Sequence, residues 1–171
     1  GMALPGCDRF ATPLGEVPID TEGAAQLAGL PQVLTIAPAH AQEHSLEVQV
    51  PFLQVLLGEG WTLLPLAVTR ATPAEMAEVL DAVWGGPETV VVISTDLSHF
   101  HNYGDAQRID RGTVGQVLGL QTSIDHEQAC GATPLNGLLE VARRRAMNPT
   151  LVDMCNSGDT AGDRDRVVGY A

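Results

Sequence analysis

The chain has 171 residues, 44% of them hydrophobic and 4% aromatic, which predicts one domain over residues 1–171 with an aliphatic core. Nine basic against 21 acidic side chains give a formal net charge of -12. This charge argues against nucleic acid or an anionic membrane surface as a partner, because both require a positive field. Three cysteines without CxxC spacing, and no apolar run of about 20 residues, predict a cytoplasmic protein without a disulfide framework or membrane span.

The first part of the chain predicts short elements. Residues 1–20 are rich in Gly and Pro and predict one short strand followed by a loop. A helix is expected over residues 21–30 with Thr21 as its N-cap, followed by strands over residues 32–37 and 61–68.

Residues 43–57 allow two interpretations. Polar and apolar residues alternate from Ser45 to Val50, as in a strand, whereas the residues from Pro51 to Leu57 continue as a helix that Gly58 ends. Either a strand leads into a helix, or one helix is kinked at Pro51. The kinked helix is favoured by the family resemblance described below.

The remaining chain alternates between helices and strands. The expected helices cover residues 73–84, with Thr72 as N-cap, residues 103–120, and residues 133–147, with Thr133 as N-cap. The expected strands cover residues 89–94, 150–154 and 166–170, and the first of these is apolar enough to be buried on both faces. This alternation predicts an α/β fold with a single central, mostly parallel or mixed sheet and helices on both faces.

The most informative candidate site follows the predicted strand at residues 89–94. Open α/β sheets bind ligands beyond the carboxyl ends of their strands, and Asp96 and His99 are expected there. A carboxylate beside an imidazole can orient it and raise its basicity, which suits a general base or a metal ligand. The alternative is that Asp96 caps a short helix and His99 is an ordinary surface residue.

Two further candidates are His44 and Cys130. His44 and Glu47 share a helical face, which suits a proton shuttle or metal ligands, although a plain amphipathic helix start is equally consistent. Cys130 precedes a predicted helix N-terminus, where the thiolate is favoured, but a buried small hydrophobe is as good an interpretation. The glycine-flanked residues 156–162 are a weaker anion-binding candidate. His40 is a weaker candidate than His44, and Cys7, Cys155, His101 and His126 are expected to be bystanders.

Several segments in series resemble the Memo family, also known as the B protein of the AmmeMemoRadiSam system. They are Phe10-Ala11-Thr12-Pro13-Leu14-Gly15, residues 43–53 (EHSLEVQVPFL), Ser94-Thr95-Asp96-Leu97-Ser98-His99, Ala129-Cys130-Gly131, and Ser157-Gly158-Asp159 with the closing residues 167–170 (VVGY). The second block is highly specific, and the resemblance covers essentially the whole chain. The family is related to the class III extradiol dioxygenases, which open catechol rings at a non-haem Fe(II).

The resemblance implies a pocket lined by His44, Asp96, His99 and Cys130. Within it, His44, Asp96 and His99 would be catalytic, and Cys130 with His99 would bind metal, either Fe(II) or copper. In the family, the cysteine at the position of Cys130 joins two histidines upstream of the Thr-Pro-Leu-Gly block, but no histidine precedes His40 here. We therefore expect an N-terminally truncated family member that starts at Met2 after a tag-derived Gly1.

Three functions follow as hypotheses. The first is a Memo-like protein with metal-dependent, dioxygenase-like or other redox activity on a small-molecule substrate or peptide ligand. The second is a non-catalytic ligand- or protein-binding descendant that has lost the metal site and holds no metal. The third, hydrolysis at Ser45 or Ser98, is weak because neither lies in a GxSxG turn. Loss of the first strands would expose a sheet edge, and a homodimer that covers it is expected.

Overall fold

The computed structural model describes residues 1–160 and 162–171 of the chain. These residues form two compact units, one made of residues 1–71 and 81–94 and the other of residues 72–80 and 95–171. The single domain predicted over the whole chain is not tested by this division and stays a prediction. Within the described residues, no helix is both long enough and apolar enough to cross a membrane.

The first unit contains five short strands and three short helices in its described residues. They are β1 (Met2–Leu4), β2 (Arg9–Thr12), β3 (Gly15–Pro18), α1 (Thr21–Leu27), β4 (Val33–Thr35), α2 (Ala37–His40), α3 (Val50–Leu57) and β5 (Ala67–Val68). Strand β1 lies at the centre of a mixed sheet, parallel to β4 and antiparallel to β5. All three residues of β1 are buried, as expected for a strand with a partner on each side. Strands β2 and β3 form a separate hairpin.

The second unit carries the longer helices. Its elements are most of α4 (Pro73–Ala82), β6 (His99–His101), α5 (Tyr103–Leu118), α6 (Ala132–Arg144), β7 (Cys155–Asn156), a 3-10 helix (Ser157–Asp159) and β8 (Val167–Tyr170). Strand β8 is the middle of an antiparallel sheet, between β6 and β7. An aliphatic core joins α5 and α6 to the segments beside them, through Leu97, Val114, Ile124, Ala129, Ala132 and Leu139.

The α/β class predicted from the sequence is confirmed, but the single central sheet is not. The described strands form three small sheets, of three, two and three strands. The expected strand at residues 89–94 adopts no regular secondary structure, and Val90 and Val92 are 70% and 47% exposed. No strand of the described sheets pairs with this segment, and an apolar β-branched run forms a strand only where a neighbour accepts its hydrogen bonds.

Other strand predictions were wrong in extent. Residues 1–20 form three strands where one was expected, because the loop at residues 13–14 closes a hairpin between β2 and β3. Only Ala67–Val68 is a strand within residues 61–68, and Leu63 makes an isolated bridge to Ile19. The strand expected at residues 150–154 is absent, and pairing with β8 begins only at Cys155.

The helices predicted over residues 21–30, 73–84, 103–120 and 133–147 were correct in position, with different caps at two of them, whereas the short helix α2 was not predicted. Asp20, and not Thr21, caps α1, because its carboxylate accepts the backbone N–H of Gly23 at 3.0 Å. Helix α6 begins at Ala132, so Thr133 lies inside its first turn and does not cap it. Thr72 does act at the start of α4, where its hydroxyl accepts the Glu75 N–H at 3.2 Å.

The segment at residues 43–57 is neither a strand leading into a helix nor one kinked helix. Helix α3 begins at Val50, so Pro51 occupies the first turn, where its missing N–H removes no helical hydrogen bond. The preceding residues form turns in which the Val48 N–H donates to the His44 carbonyl at 3.4 Å. A proline at this position starts a helix and does not bend one.

Candidate functional site

The loop at residues 95–98 is held against strand β8 by two backbone hydrogen bonds to Gly169. The Leu97 N–H donates to the Gly169 carbonyl at 2.8 Å, and the Gly169 N–H donates to the Ser98 carbonyl at 2.9 Å. The Leu97 side chain is 5% exposed and belongs to the core that packs on α5 and α6. The backbone that carries Asp96 and His99 is thus anchored by two hydrogen bonds and by apolar burial.

Asp110 on α5 also supports the loop at residues 95–98, through a hydrogen bond to its backbone. Its carboxylate is 2% exposed and accepts the Ser98 backbone N–H at 3.0 Å. Gly169 lies directly against this carboxylate, and a Cβ at that position would overlap it. A buried carboxylate is stable only when its oxygens accept hydrogen bonds, so Asp110, Ser98 and Gly169 form one interdependent unit.

Cys130 reaches this loop from the segment that precedes α6. Its N–H donates to the Asp96 carbonyl at 3.2 Å, and the Asp96 N–H donates back to the Cys130 Sγ at 3.1 Å. The Thr95 hydroxyl accepts the Gly131 N–H at 2.8 Å and lies 3.5 Å from the same sulfur. These bonds fix the sulfur beside Asp96, although the two residues are 34 positions apart in the chain.

His99 completes a group of three potential ligands. Its Nε2 lies 3.7 Å from Asp96 Oδ2, and ligand atoms of Asp96, His99 and Cys130 all lie within 4.8 Å of one another. The side chains of His99 and Asp96 are 32% and 48% exposed, and Cys130 is exposed. The three side chains are therefore both convergent and accessible to a ligand from solvent.

A β-bulge sets the orientation of His99. The pairing of β6 with β8 shifts register between His99 and His101, and the intervening Phe100 has a φ of 62°, an uncommon value for a residue with a side chain. The His99 ring packs edge-on against Phe100, with ring centroids 5.7 Å apart. The bulge places a strained residue next to the candidate ligand, as bulges near functional sites often do.

The donor set of this group suits a transition-metal ion. A sulfur, an imidazole nitrogen and a carboxylate oxygen are ligands that iron, copper and zinc all accept. Three protein ligands leave room for a substrate or water, which is the pattern of catalytic and not of closed structural sites. The geometry brings together Asp96, His99 and Cys130, three of the four residues named from the sequence.

His44, the fourth named residue, lies in the first unit, where the chain leads into α3. Its side chain is 81% exposed, and its Nδ1 lies 2.9 Å from a carboxylate oxygen of Glu47. Hydrogen bonds donated by the side chain and backbone of Ser45 lower the pKa of the neighbouring Glu43. The Glu43 carboxylate is therefore ionised near neutral pH. The prediction that His44 lines one cavity with the other three stays a prediction.

His40, the weaker candidate, and His126, an expected bystander, both have structural contacts. His40 Nε2 donates to the Ala3 carbonyl at 2.8 Å, and its ring packs edge-on against Phe10. His126 Nδ1 donates to the Cys130 carbonyl at 3.2 Å, while its Nε2 lies 3.3 Å from the Thr133 hydroxyl. His126 therefore supports the backbone next to Cys130, a role that spacing in the sequence did not indicate.

The glycine-flanked residues 156–162 form a capped turn. The Asn156 side chain accepts the Gly158 N–H at 2.9 Å, and Asp159 accepts the Asn156 N–H at 3.0 Å. The N–H groups of Asn156 and Gly158 donate within the turn and so do not serve the anion-binding site suggested by the sequence. Ala161, part of the same segment, lies outside the described residues.

Arg143, Arg144 and Arg145 form a basic cluster at the end of α6. Helix α6 ends at Arg144, so the cluster lies at a helix C-terminus, where positive charge is favourable. Arg143 also pairs with Glu140 one turn earlier. The position of the cluster at the helix C-terminus therefore gives it a structural role.

Asp110 and Gly169 were missed by reasoning from the sequence. An aspartate in a helix normally faces solvent, and Asp110 lies between other charged residues at Arg108 and Arg111. The available signal was its position four residues from the apolar Ala106 and Val114, both buried on the same face of α5.

A family profile described as Memo-like protein matches residues 1–171 of the chain. The chain belongs to the Memo-like family. A MEMO1 family protein of Sulfolobus acidocaldarius is 31% identical over 175 residues, covering 95% of this chain and 62% of that protein. One of Methanopyrus kandleri is 34% identical, with 95% and 62% covered, and one of Archaeoglobus fulgidus is 32% identical, with 100% and 70% covered.

The match to these relatives extends along almost the whole chain but not along the whole of the relatives. The chain spans about 62% of the length of the Sulfolobus and Methanopyrus proteins. Membership of the Memo-like family confirms the resemblance seen in the sequence blocks. The activity, substrate and partners of a complete Memo-like protein are carried to this chain only as proposals.

Proposed function

We propose that Asp96, His99 and Cys130 bind one transition-metal ion, Fe(II) or copper, and that this Memo-like chain carries out dioxygenase-like redox chemistry at that ion. The observation that supports the proposal is the convergence of three different donor atoms within 4.8 Å. When bound, the ion would act as a Lewis acid and, as iron or copper, as a centre for electron transfer.

The residues around the group have supporting roles in this proposal. The Asp96 N–H donates to Cys130 Sγ at 3.1 Å and would hold the sulfur in position to bind the metal. Thr95 fixes the sulfur by bonding the Gly131 N–H. Asp110 holds the loop through Ser98, so the ligands are oriented before an ion arrives.

His44, in the first unit, is the remaining residue that we propose as catalytic. His44 would act as an acid or base toward a small organic molecule, and its test is the pH profile of any turnover in the His44→Gln variant. The same proposal places the protein in the cytoplasm, where a reducing environment keeps Cys130 as a thiol.

Cobalt(II) is a suitable probe for the metal site, because cobalt–thiolate bonds have a characteristic charge-transfer absorption. We expect one equivalent of cobalt to bind the purified chain with this absorption. Cys130→Ser should abolish the band, and His99→Gln and Asp96→Asn should each weaken binding by more than the about 10- to 100-fold caused by loss of an outer partner. Cys155→Ser and His101→Gln, in the same unit, are the matched controls and should bind normally.

Two outcomes divide the alternatives. Absence of stoichiometric binding at any loading, or an unchanged cobalt spectrum in Cys130→Ser, would show that the metal site does not exist. Normal metal binding without ring-cleaved product from catechols in the presence of Fe(II) and oxygen would favour the second hypothesis, in which the chain is a non-catalytic binding module.

A further inference from the structure

Helix α3 presents three large apolar side chains to solvent on one face. Phe52, Val55 and Leu56 are 70%, 74% and 79% exposed, and their i, i+3, i+4 spacing places them side by side. The opposite side of the helix holds Val50, which is 2% exposed. The helix is thus anchored by one face and leaves a second apolar face open; Phe52, Val55 and Leu56 are called the α3 face below.

The α3 face borders, at Val55, a groove between α3 and the β2–β3 hairpin. Leu14 at the hairpin loop is 59% exposed and lines, together with Val55 and Trp61, a cavity of about 680 Å³. The Thr12 hydroxyl donates to the Gln54 side chain at 2.6 Å, and Gln54 donates to the Gly15 carbonyl at 3.3 Å. These hydrogen bonds connect the hairpin to α3, and the two elements form the two sides of the groove.

The apolar area of the α3 face together with Leu14 is large for a solvent-exposed surface. The α3 face with Leu14 exposes on the order of 400 Å² of side-chain surface, within the range of patches that mark interaction sites on monomers. Scattered single apolar residues need no explanation, but side chains at helical spacing beside a groove match the way amphipathic helices are bound.

The charge around the groove indicates the kind of partner. No Lys or Arg occurs between Arg9 and Arg70, whereas that segment contains six acidic residues. Glu47 lies just before α3 and Glu59 just after it, where Glu59 also lines the cavity. Arg9 lies 3.6 Å from Glu16 on the hairpin, so one acidic residue already holds a cation.

These charges oppose association of the α3 face with a second copy of the same chain. A symmetric pair would bring Glu47 and Glu59 of each protomer to one interface, in chains that each carry a formal charge of -12. Like charges at an interface are unfavourable, whereas an apolar partner with a basic rim would be attracted and oriented.

We propose that the α3 face binds a basic amphipathic helix of a partner protein. The apolar side of that helix covers Phe52, Val55 and Leu56, and its Lys or Arg side chains lie against Glu47 and Glu59. This inference does not depend on the metal site, whose residues all belong to the second unit.

The test uses two synthetic peptides with the same leucines at i, i+3, i+4 and i+7, one flanked by Lys and the other by Glu. Fluorescence anisotropy with the full chain should show the Lys peptide binding at least about tenfold more tightly, with affinity that falls as salt rises. The Phe52→Gln/Leu56→Gln variant should lose at least about tenfold. Val152→Gln, at an apolar position 96% exposed in the second unit, is the matched control and should bind normally.

Three results would overturn the proposal. One is equal binding of the Lys peptide by the wild type and by the Phe52→Gln/Leu56→Gln variant, which would mean general attraction to an acidic protein. Another is equal affinity for the Glu peptide. The third is a wild-type dimer in light scattering that the same double variant converts to monomer, which would assign the α3 face to a second copy.

Discussion

The loop at residues 95–98 and the α3 face differ in how completely the surrounding chain encloses them. The loop is bonded to β8, to Asp110 and to Cys130, and its Leu97 and Ser98 are 5% and 0% exposed. The α3 face leaves Leu56 79% exposed, although Val50 on the same helix is buried. A site that orients ligand atoms needs this enclosure, whereas a surface that binds another helix needs open apolar area.

The difference predicts that substitutions near the loop are costly and those on the α3 face are not. Gly169→Ala should have the largest effect, because its Cβ would overlap the Asp110 carboxylate. Overpacking combined with displacement of a buried carboxylate should lower the free energy of unfolding by about 3 kcal/mol or more. Urea denaturation measures this loss.

Gly112→Ala is the matched control for that substitution. Gly112 lies in α5, and a Cβ there would meet nothing within 4 Å, so the change should stabilise the protein by about 0.5–1 kcal/mol. If both substitutions altered stability equally, the tight packing of Gly169 on Asp110 would be ruled out.

Asp110→Ala should have the next largest effect. It leaves the Ser98 N–H buried without its acceptor, which should cost about 2–3 kcal/mol. Asn at this position keeps an oxygen acceptor and should restore part of the loss. The double variant Gly169→Ala/Asp110→Ala should lose less free energy of unfolding than the two single variants lose together, because removing the carboxylate also removes the overlap. Strictly additive losses would contradict the contact between Gly169 and Asp110.

The longer helices were easier to predict from the sequence than the strands. Helices α4, α5 and α6 followed from period and from Pro, Asn and Gly near their ends, all of which are local signals. Residues 89–94 have the composition of a buried strand, but strand formation depends on a neighbour that the local sequence does not specify. Local signals therefore predicted these three helices to within three residues, but they missed α2, placed the start of α3 at the wrong residue and misplaced several strands.

The candidate site shows the same limit. Asp96 and His99 are three residues apart, so the sequence already suggested that they meet. Cys130 joins them through backbone bonds across 34 positions, and its inclusion was implied by family resemblance and not by spacing. Asp110 was not identified as a support of the site, because its charged neighbours suggest a solvent-facing position and its spacing from the apolar Ala106 and Val114 is a weak signal.

A smaller, pH-dependent contribution to the stability of the fold comes from the hydrogen bond between Tyr103 and Asp159. The Tyr103 hydroxyl donates to Asp159, and this bond lowers the pKa of Asp159 below 3.8 and raises the pKa of Tyr103 above 10.0. The depressed carboxyl stabilises the fold above its unfolded pKa and loses that contribution as pH falls through the folded value. The raised phenol stabilises the fold below pH 10 and loses that contribution as pH rises through its folded pKa.

Tyr103→Phe tests both ends of this pH range. The variant should lose stability between about pH 4 and pH 10 and should differ less from the wild type at the acid and alkaline extremes. Carboxyl NMR titration should show the Asp159 pKa moving back up toward 3.8. A titration curve of Asp159 that is identical in both proteins would contradict the bond.

The smallest effect is expected on the α3 face. Leu56→Gln should change the free energy of unfolding by no more than about 0.5 kcal/mol, because the side chain is already in water in the folded protein. Val50→Ala on the same helix should cost about 2 kcal/mol, since Val50 is 2% exposed. If Leu56→Gln destabilised the chain as much as Val50→Ala, Leu56 would be part of the first unit's own core. Helix α3 would then have no free face for a partner, because both sides of the helix would be needed to hold the fold.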